Sequence, residues 1–118
     1  MKALIFAACA ALLAAQAQAA KPKKPAAYGA IAYHRDSRSW GTSHEARTAR
    51  EAKIGALQRC GHARCEVVIS IRNGCGALAD GPKRIAAAPG VTRGEAETKA
   101  LRKCGAGECR IVAWACTP

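Results

Sequence analysis

A chain of 118 residues with 19 Lys and Arg against 8 Asp and Glu has room for one small, basic domain and no more. Large apolar side chains are scarce, with one Phe, two Trp and two Tyr, so alanine and valine must do most of the packing and seven cysteines become the natural braces. No apolar run reaches the ~20 residues that a helix needs to span a bilayer, so a helical membrane protein is excluded and a soluble one expected.

The first 19 residues read as a secretory signal peptide. Met1-Lys2 opens with a positive charge, Ala3 to Ala15 is apolar and uncharged, and Ala17-Gln18-Ala19 offers small residues at a cleavage site. Cys9 lies inside the apolar run and is expected to leave with it. Cleavage after Ala19 leaves 99 residues with 18 Lys and Arg against 8 Asp and Glu. Residues 20–26 carry Lys21, Lys23 and Lys24 among prolines and are expected to be a disordered basic tail. The folded domain is expected over residues 27–118. Its positive charge is spread along the chain, which favours anionic surfaces in general without marking one groove.

Strand candidates open the domain at Tyr28–His34 and Ser39–Thr42, joined across Arg35-Asp36-Ser37-Arg38. A helix follows. Thr48 and Glu51 form a capping box, Ala49, Ala52, Ala56, Leu57 and Cys60 recur at helical spacing, and Gly61 suits the C-terminal stop. Glu66–Ile71 is β-rich. The order then repeats: strands at Gly76–Asp80 and Arg84–Ala88, a capping box at Thr92 and Glu95, a stripe of Ala96, Ala100, Leu101 and Cys104, a stop at Gly105, and a strand at Arg110–Ala115. From Thr48 to Ile71 the two copies keep a constant offset of 44 residues. The fold class is therefore α+β: two ββαβ repeats in one disulfide-stapled domain with approximate two-fold symmetry. Two alanine-faced helices are expected on one side of an antiparallel or mixed sheet.

Six cysteines remain after the signal: Cys60, Cys65, Cys75, Cys104, Cys109 and Cys116. An even number in an exported chain reads as disulfides. A zinc site fits less well, because C-x4-C occurs twice without the paired C-x2-C of zinc ribbons. Cys60 with Cys65, and Cys104 with Cys109, each span a helix-to-strand turn. A Cys75–Cys116 bridge would join the ends of the two long strands across the symmetry axis. Six cysteines allow fifteen pairings, so this remains one choice among several.

Tyr28-Gly29-Ala30-Ile31-Ala32-Tyr33, the helix with Glu51-Ala52, Ala56-Leu57 and Cys60, the segment Asn73-Gly74-Cys75-Gly76-Ala77-Leu78-Ala79, and the closing Val112-Ala113-Trp114-Ala115-Cys116 together carry a likeness. Over about residues 27–116 the chain resembles the bacterial domain-of-unknown-function family DUF4189. The resemblance implies export from bacteria. It implies no activity, no cofactor and no catalytic residue set.

Few residues suggest chemistry. His34 and Asp36 near the first hairpin, and His44-Glu45 before the first helix, would make an acid–base pair only if they converged. Solvated loop residues are the simpler reading, and no metal or cofactor is expected. His62 reads as a turn residue, since the second copy has Ala106 there. Arg72-Asn73-Gly74 looks like a three-residue insertion, either a turn or a contact loop. The best candidate binding patch is Tyr33 and Trp40 on opposite arms of the first hairpin with Arg35 and Arg38 at its tip, joined by Arg72 and Asn73. The tyrosine–tryptophan pair is equally an ordinary cross-strand packing pair, and Trp114 is expected in the core. The leading expectation is an exported, non-enzymatic interaction protein that presents a basic face to a protein or an anionic envelope partner, periplasmic or extracellular. The alternatives are a small secreted hydrolase using His34, Asp36 or His44, and a cationic protein binding nucleic acid or membrane.

Overall fold

The structure, a computed structural model, describes residues 24–105 and 107–118. The expected signal peptide, with Cys9, and the first residues of the expected tail lie outside the described residues. Eight elements follow in order: β1 (Tyr28–His34), β2 (Ser39–Ala46), α1 (Ala49–Cys60), β3 (Glu66–Arg72), β4 (Cys75–Asp80), β5 (Ile85–Gly90), α2 (Arg93–Cys104) and β6 (Arg110–Cys116). This is the expected α+β fold of two ββαβ repeats.

The sheet differs from the expectation. Each copy builds its own three-stranded antiparallel sheet, ordered β2-β1-β3 in the first and β5-β4-β6 in the second. The two sheets pack face to face, with β2 lying over β6 and β3 over β5. Each helix covers the outer face of its own sheet, so the helices lie on opposite sides of the domain. The reason is visible in β1 and β4. In β1, Ala30 and Ala32 pack against α1 while Ile31 and Tyr33 face the other sheet; in β4, Ala77 and Ala79 pack against α2 while Leu78 faces the other sheet. A strand buried on both faces needs a layer on each side.

Layer thickness follows from side-chain size. Ile31 and Leu78 are the largest fully buried side chains, and they occupy equivalent positions at the centre of the inter-sheet core. The helix–sheet layers are almost wholly alanine: Ala30, Ala32, Ala52 and Ala56 in one copy, Ala77, Ala79, Ala96 and Ala100 in the other. Leu57, placed on the contact stripe by its spacing, is instead turned toward solvent and is 36% exposed.

Both helices start as expected. The Thr48 hydroxyl accepts from the Glu51 amide, and the Thr92 hydroxyl from the Glu95 amide, each at 3.1 Å. The glutamates reach one residue further back than an ordinary capping box, accepting from the Arg47 and Val91 amides. The Val91 hydrogen bond, and then Lys99, hold the Glu95 carboxyl below its usual range. Gly61 and Gly105 close the helices in the left-handed conformation.

A bulge recurs in both copies. The β1–β3 register skips Val68 between Val67 and Ile69, and the β4–β6 register skips Val112 between Ile111 and Ala113. The extra residue changes which face the rest of the strand presents. Val67 and Ile111 therefore pack under the helices while Val68, Ile69, Val112 and Ala113 join the inter-sheet core. Beyond the bulge, Trp114 turns outward. The residue is 41% exposed, in contrast to the expected core position, and its ring carries the Arg93 guanidinium 3.9 Å from its centroid.

Three disulfides brace the domain. Cys60–Cys65 and Cys104–Cys109 each close a helix-to-strand turn, and Cys75–Cys116 closes the second copy. The geometry of the last corrects the expectation. Cys75 begins β4 and faces Cys116 in the adjacent strand of the same sheet, so this bridge lies within copy two and does not cross the symmetry axis. The equivalent pair in copy one is Tyr28 and Arg72, directly opposite in register, with the guanidinium 6.0 Å from the ring centroid. Arg72 thus ends β3 and matches Cys116. Asn73-Gly74 is the link between the copies, not part of an insertion.

Candidate functional site

Both hairpin tips and both helix-to-strand turns gather at one end of the sandwich, because β1 and β4 run in the same direction. Tyr33 and Asp80 are equivalent residues of the two copies, and they meet there. The Tyr33 hydroxyl donates to Asp80 Oδ2 at 2.5 Å. Arg35 reaches across from the first hairpin, with Nε 3.6 Å from Asp80 Oδ1 and Nη2 donating to the Gly81 carbonyl at 2.8 Å. One carboxylate therefore links the two copies through a phenol and a guanidinium.

Burial, and then the hydrogen bond to Asp80, push the Tyr33 phenol up from 10.0 to about 12, against the opposing pull of Arg38 and Arg35. A group whose pKa is raised on folding contributes stability that is complete below its unfolded pKa and is lost as the pH climbs through its folded one. The urea midpoint is therefore expected to fall between pH 10 and pH 12 more steeply in the native protein than in Tyr33→Phe. Equal slopes for the two proteins over that window would show that Tyr33 is not the titrating group.

Two clefts flank this pair, one on each side of the pseudo-axis. The larger, about 480 Å³, lies on the β2/β6 flank and is lined by Tyr33, Arg38, Asp80, Glu108 and Arg110 together with the β6 residues Ile111 and Val112. The smaller, about 280 Å³, lies on the β3/β5 flank and holds Tyr33, His34, Arg35, Arg64, Glu66 and Ile85. The copies exchange charge here: Arg64 and Glu66 in one cleft take the places of Glu108 and Arg110 in the other.

Arg38 marks the larger cleft. Its backbone is left-handed, with φ 61°, a conformation that costs a side-chain-bearing residue roughly 1–2 kcal/mol. The Arg38 amide donates to the Arg35 carbonyl at 3.2 Å and fixes the turn. Among the described residues, neither the Arg38 nor the Arg110 guanidinium makes a hydrogen bond or ion pair. Trp40 stands directly opposite Tyr33 in the β1–β2 register and is 47% exposed.

The residues singled out in the sequence thus separate. Tyr33, Arg35, Arg38 and Trp40 come together at the hairpin end, with Tyr33 and Arg35 engaged in the contact between copies. Arg72 and Asn73 lie at the opposite end. There the Asn73 side chain accepts from the Ala27 amide at 2.9 Å while its own amide donates to the Ala27 carbonyl. His34 and Asp36 sit at the hairpin. His44 lies five residues further along β2 than the partner of His34, roughly 17 Å away at the rise of a strand. His34 stacks instead on His62, with ring centroids 3.9 Å apart. The His62 Nδ1 accepts from the Arg64 amide and the His34 Nδ1 from the Ser37 amide, so both rings are held from their own turns. Asp80, Glu108 and Arg110 were not singled out in the sequence. The repeat could have found Asp80, because it occupies the position equivalent to Tyr33.

This architecture defines a class: a tandem ββαβ domain of two stacked sheets, braced by disulfides, with a polar cleft at its pseudo-two-fold end. The chain belongs to the DUF4189 family, a domain of unknown function, whose match covers residues 28–116. It is 38% identical over 89 residues to the uncharacterised proteins Rv1813c of Mycobacterium tuberculosis and Mb1843c of Mycobacterium bovis, a match covering 75% of this chain and 59% of each relative. The matched region thus spans less than two thirds of those relatives. The NMR structure of Rv1813c is similar, with a TM-score of 0.62 and 29% identity, covering 99% of this chain and 97% of that one.

Proposed function

We propose that this is an exported, non-enzymatic interaction protein whose rigid, disulfide-held domain binds a partner at the hairpin end. The observation that carries the reading is the β2/β6 cleft, which is lined by two guanidiniums without partners among the described residues; half-exposed Trp40 follows two residues after Arg38 on β2. Holding Arg38 in a left-handed backbone costs stability, and a ligand for its side chain gives that cost a purpose. The separation of His44 from His34 and Asp36 favours binding over acid–base catalysis. Export is supported by three disulfides in so small a domain. Among the described residues, no helix is long and apolar enough to cross a membrane.

The test is capture by the immobilised mature domain from envelope and culture-medium fractions of the producing cell. A partner that saturates at fixed stoichiometry, and that the His34→Ala, Asp36→Ala and His44→Ala variants still bind, is the expected outcome. Absence of any saturable partner in both fractions would overturn the reading.

A further inference from the structure

The duplicated fold supplies an internal comparison, because each flank of the sandwich has a symmetry mate. The edges of β2 and β6 share one flank, and those of β5 and β3 share the other. Both tryptophans lie on the first. Trp40 of β2 corresponds to Ile85 of β5, and Trp114 of β6 corresponds to Ser70 of β3. Arg93, stacked on Trp114, corresponds to Ala49, and Glu97, which accepts from Arg93 Nε at 2.9 Å, corresponds to Lys53. The hairpin that carries Arg38 is two residues longer than its mate, which turns on Pro82-Lys83.

We infer that the β2/β6 flank is a docking surface for an extended protein segment that carries carboxylates next to apolar side chains. The inference rests on the binding role proposed above and adds the place and the partner chemistry. Tryptophan and arginine are the residues that dominate protein–protein contacts, whereas lysine is depleted there. Guanidiniums without partners among the described residues stand in both clefts, Arg38 and Arg110 in one and Arg64 in the other, but both tryptophans share the β2/β6 flank, and the positions equivalent to Arg93, Glu97 and Trp114 on the other carry Ala49, Lys53 and Ser70. The cleft beside Val112 takes an apolar side chain, and the guanidiniums of Arg38 and Arg110 take carboxylates beside it. Trp114 lies four residues along β6 from Arg110, about 13 Å on an extended chain. There the guanidinium of Arg93, steadied by the indole and by Glu97, offers its remaining N–H groups to a second carboxylate.

A nucleic-acid strand fits this flank poorly. The Arg93 guanidinium already covers a face of Trp114 on which a base would stack.

The probe is a fluorescein-labelled dodecapeptide of alternating Glu and Leu, followed by anisotropy, with the Gln–Leu peptide and a twelve-residue oligothymidylate as controls. The variants borrow residues that the other copy already tolerates: Arg110→Glu, Trp114→Ser and Arg93→Ala. Each is expected to weaken the Glu–Leu peptide about tenfold, a change of ~1.4 kcal/mol, whereas Arg64→Ala on the opposite flank changes affinity less than about twofold. The Gln–Leu peptide is expected to bind at least tenfold more weakly than the Glu–Leu peptide. Failure of the native protein to bind the Glu–Leu peptide, equal losses on both flanks, or displacement of the peptide by oligothymidylate would overturn the inference. If the captured cellular partner binds the Arg110→Glu and Trp114→Ser variants undiminished, the flank is wrong and the general binding role stands. If no partner is captured at all, the general role itself falls.

Discussion

Replacing Cys75 and Cys116 together by alanine is expected to destabilise the domain by about 4 kcal/mol, against about 2 kcal/mol for removing Cys60 and Cys65. The difference is in the unfolded chain. The first bridge closes a loop with a sequence separation of 41, nearly all of copy two, and the second a separation of 5. Closing the longer loop removes more conformational freedom from the unfolded ensemble. Copy one has only the Tyr28–Arg72 contact at the equivalent place, and such a pair is worth roughly 0.5–1 kcal/mol at an exposed site. Copy two thus relies on covalent closure where copy one relies on the chain continuing into its neighbour. For a domain of this size each kcal/mol moves the melting temperature by about 4–8 °C, so a drop of roughly 15–30 °C is expected in non-reducing thermal unfolding. Equal losses for the long and the short bridge would contradict this assignment.

Gly41→Ala is expected to cost about 3 kcal/mol or more, at the upper end of overpacking effects. A Cβ at Gly41 would run into the Cys60 amide nitrogen and the Ala56 carbonyl oxygen, and would lie 2.6 Å from the Arg59 carbonyl carbon. All three are backbone atoms of α1, so no rotamer change relieves the contact and the helix must lift from its sheet. Lifting it would open the alanine layer formed by Ala30, Ala32, Ala52 and Ala56. Copy two has Ala86 at the equivalent position, packed against the α2 cluster, so its helix already stands further off. The control is Ala86→Gly, expected to lose only about 0.5–1 kcal/mol through added chain freedom. Chemical denaturation of the two variants side by side tests this; Gly41→Ala within 1 kcal/mol of the native protein would show that α1 does not rest on Gly41.

Much of this was legible in the residues. The capping threonines, the closing glycines and the alanine stripes are local signals, and they mark α1 and α2 correctly. The repeat also brought the right cysteines together. The reading of one sheet failed for a physical reason. Alternating small and large residues describe a strand with two different faces, but do not say whether the second face meets water or another sheet. The clearer sign was Ala77-Leu78-Ala79, apolar on both faces in succession. Trp114 was misplaced because a bulge at Val112 shifts the phase of β6, and nothing in Ile-Val-Ala-Trp announces an unpaired residue. The candidate site was half legible. Register placed Trp40 opposite Tyr33, but Tyr33–Asp80 and Arg35–Gly81 are long-range contacts that become neighbours only when the two sheets stack. The left-handed backbone of Arg38 leaves no mark in the sequence, since arginine has no special preference for it.

The central claim is that partner recognition belongs to one flank of a nearly symmetric domain. Amide and indole chemical-shift mapping of the ¹⁵N-labelled mature protein during titration with the Glu–Leu dodecapeptide tests it most directly. The chain has two tryptophans and so two indole N–H signals. Both are expected to move with the amides of Arg38, Arg93 and Arg110, while those of Arg64, Ser70 and Ile85 stay in place. Shifts centred on Arg64, Ser70 and Ile85, with both indoles unmoved, would contradict it.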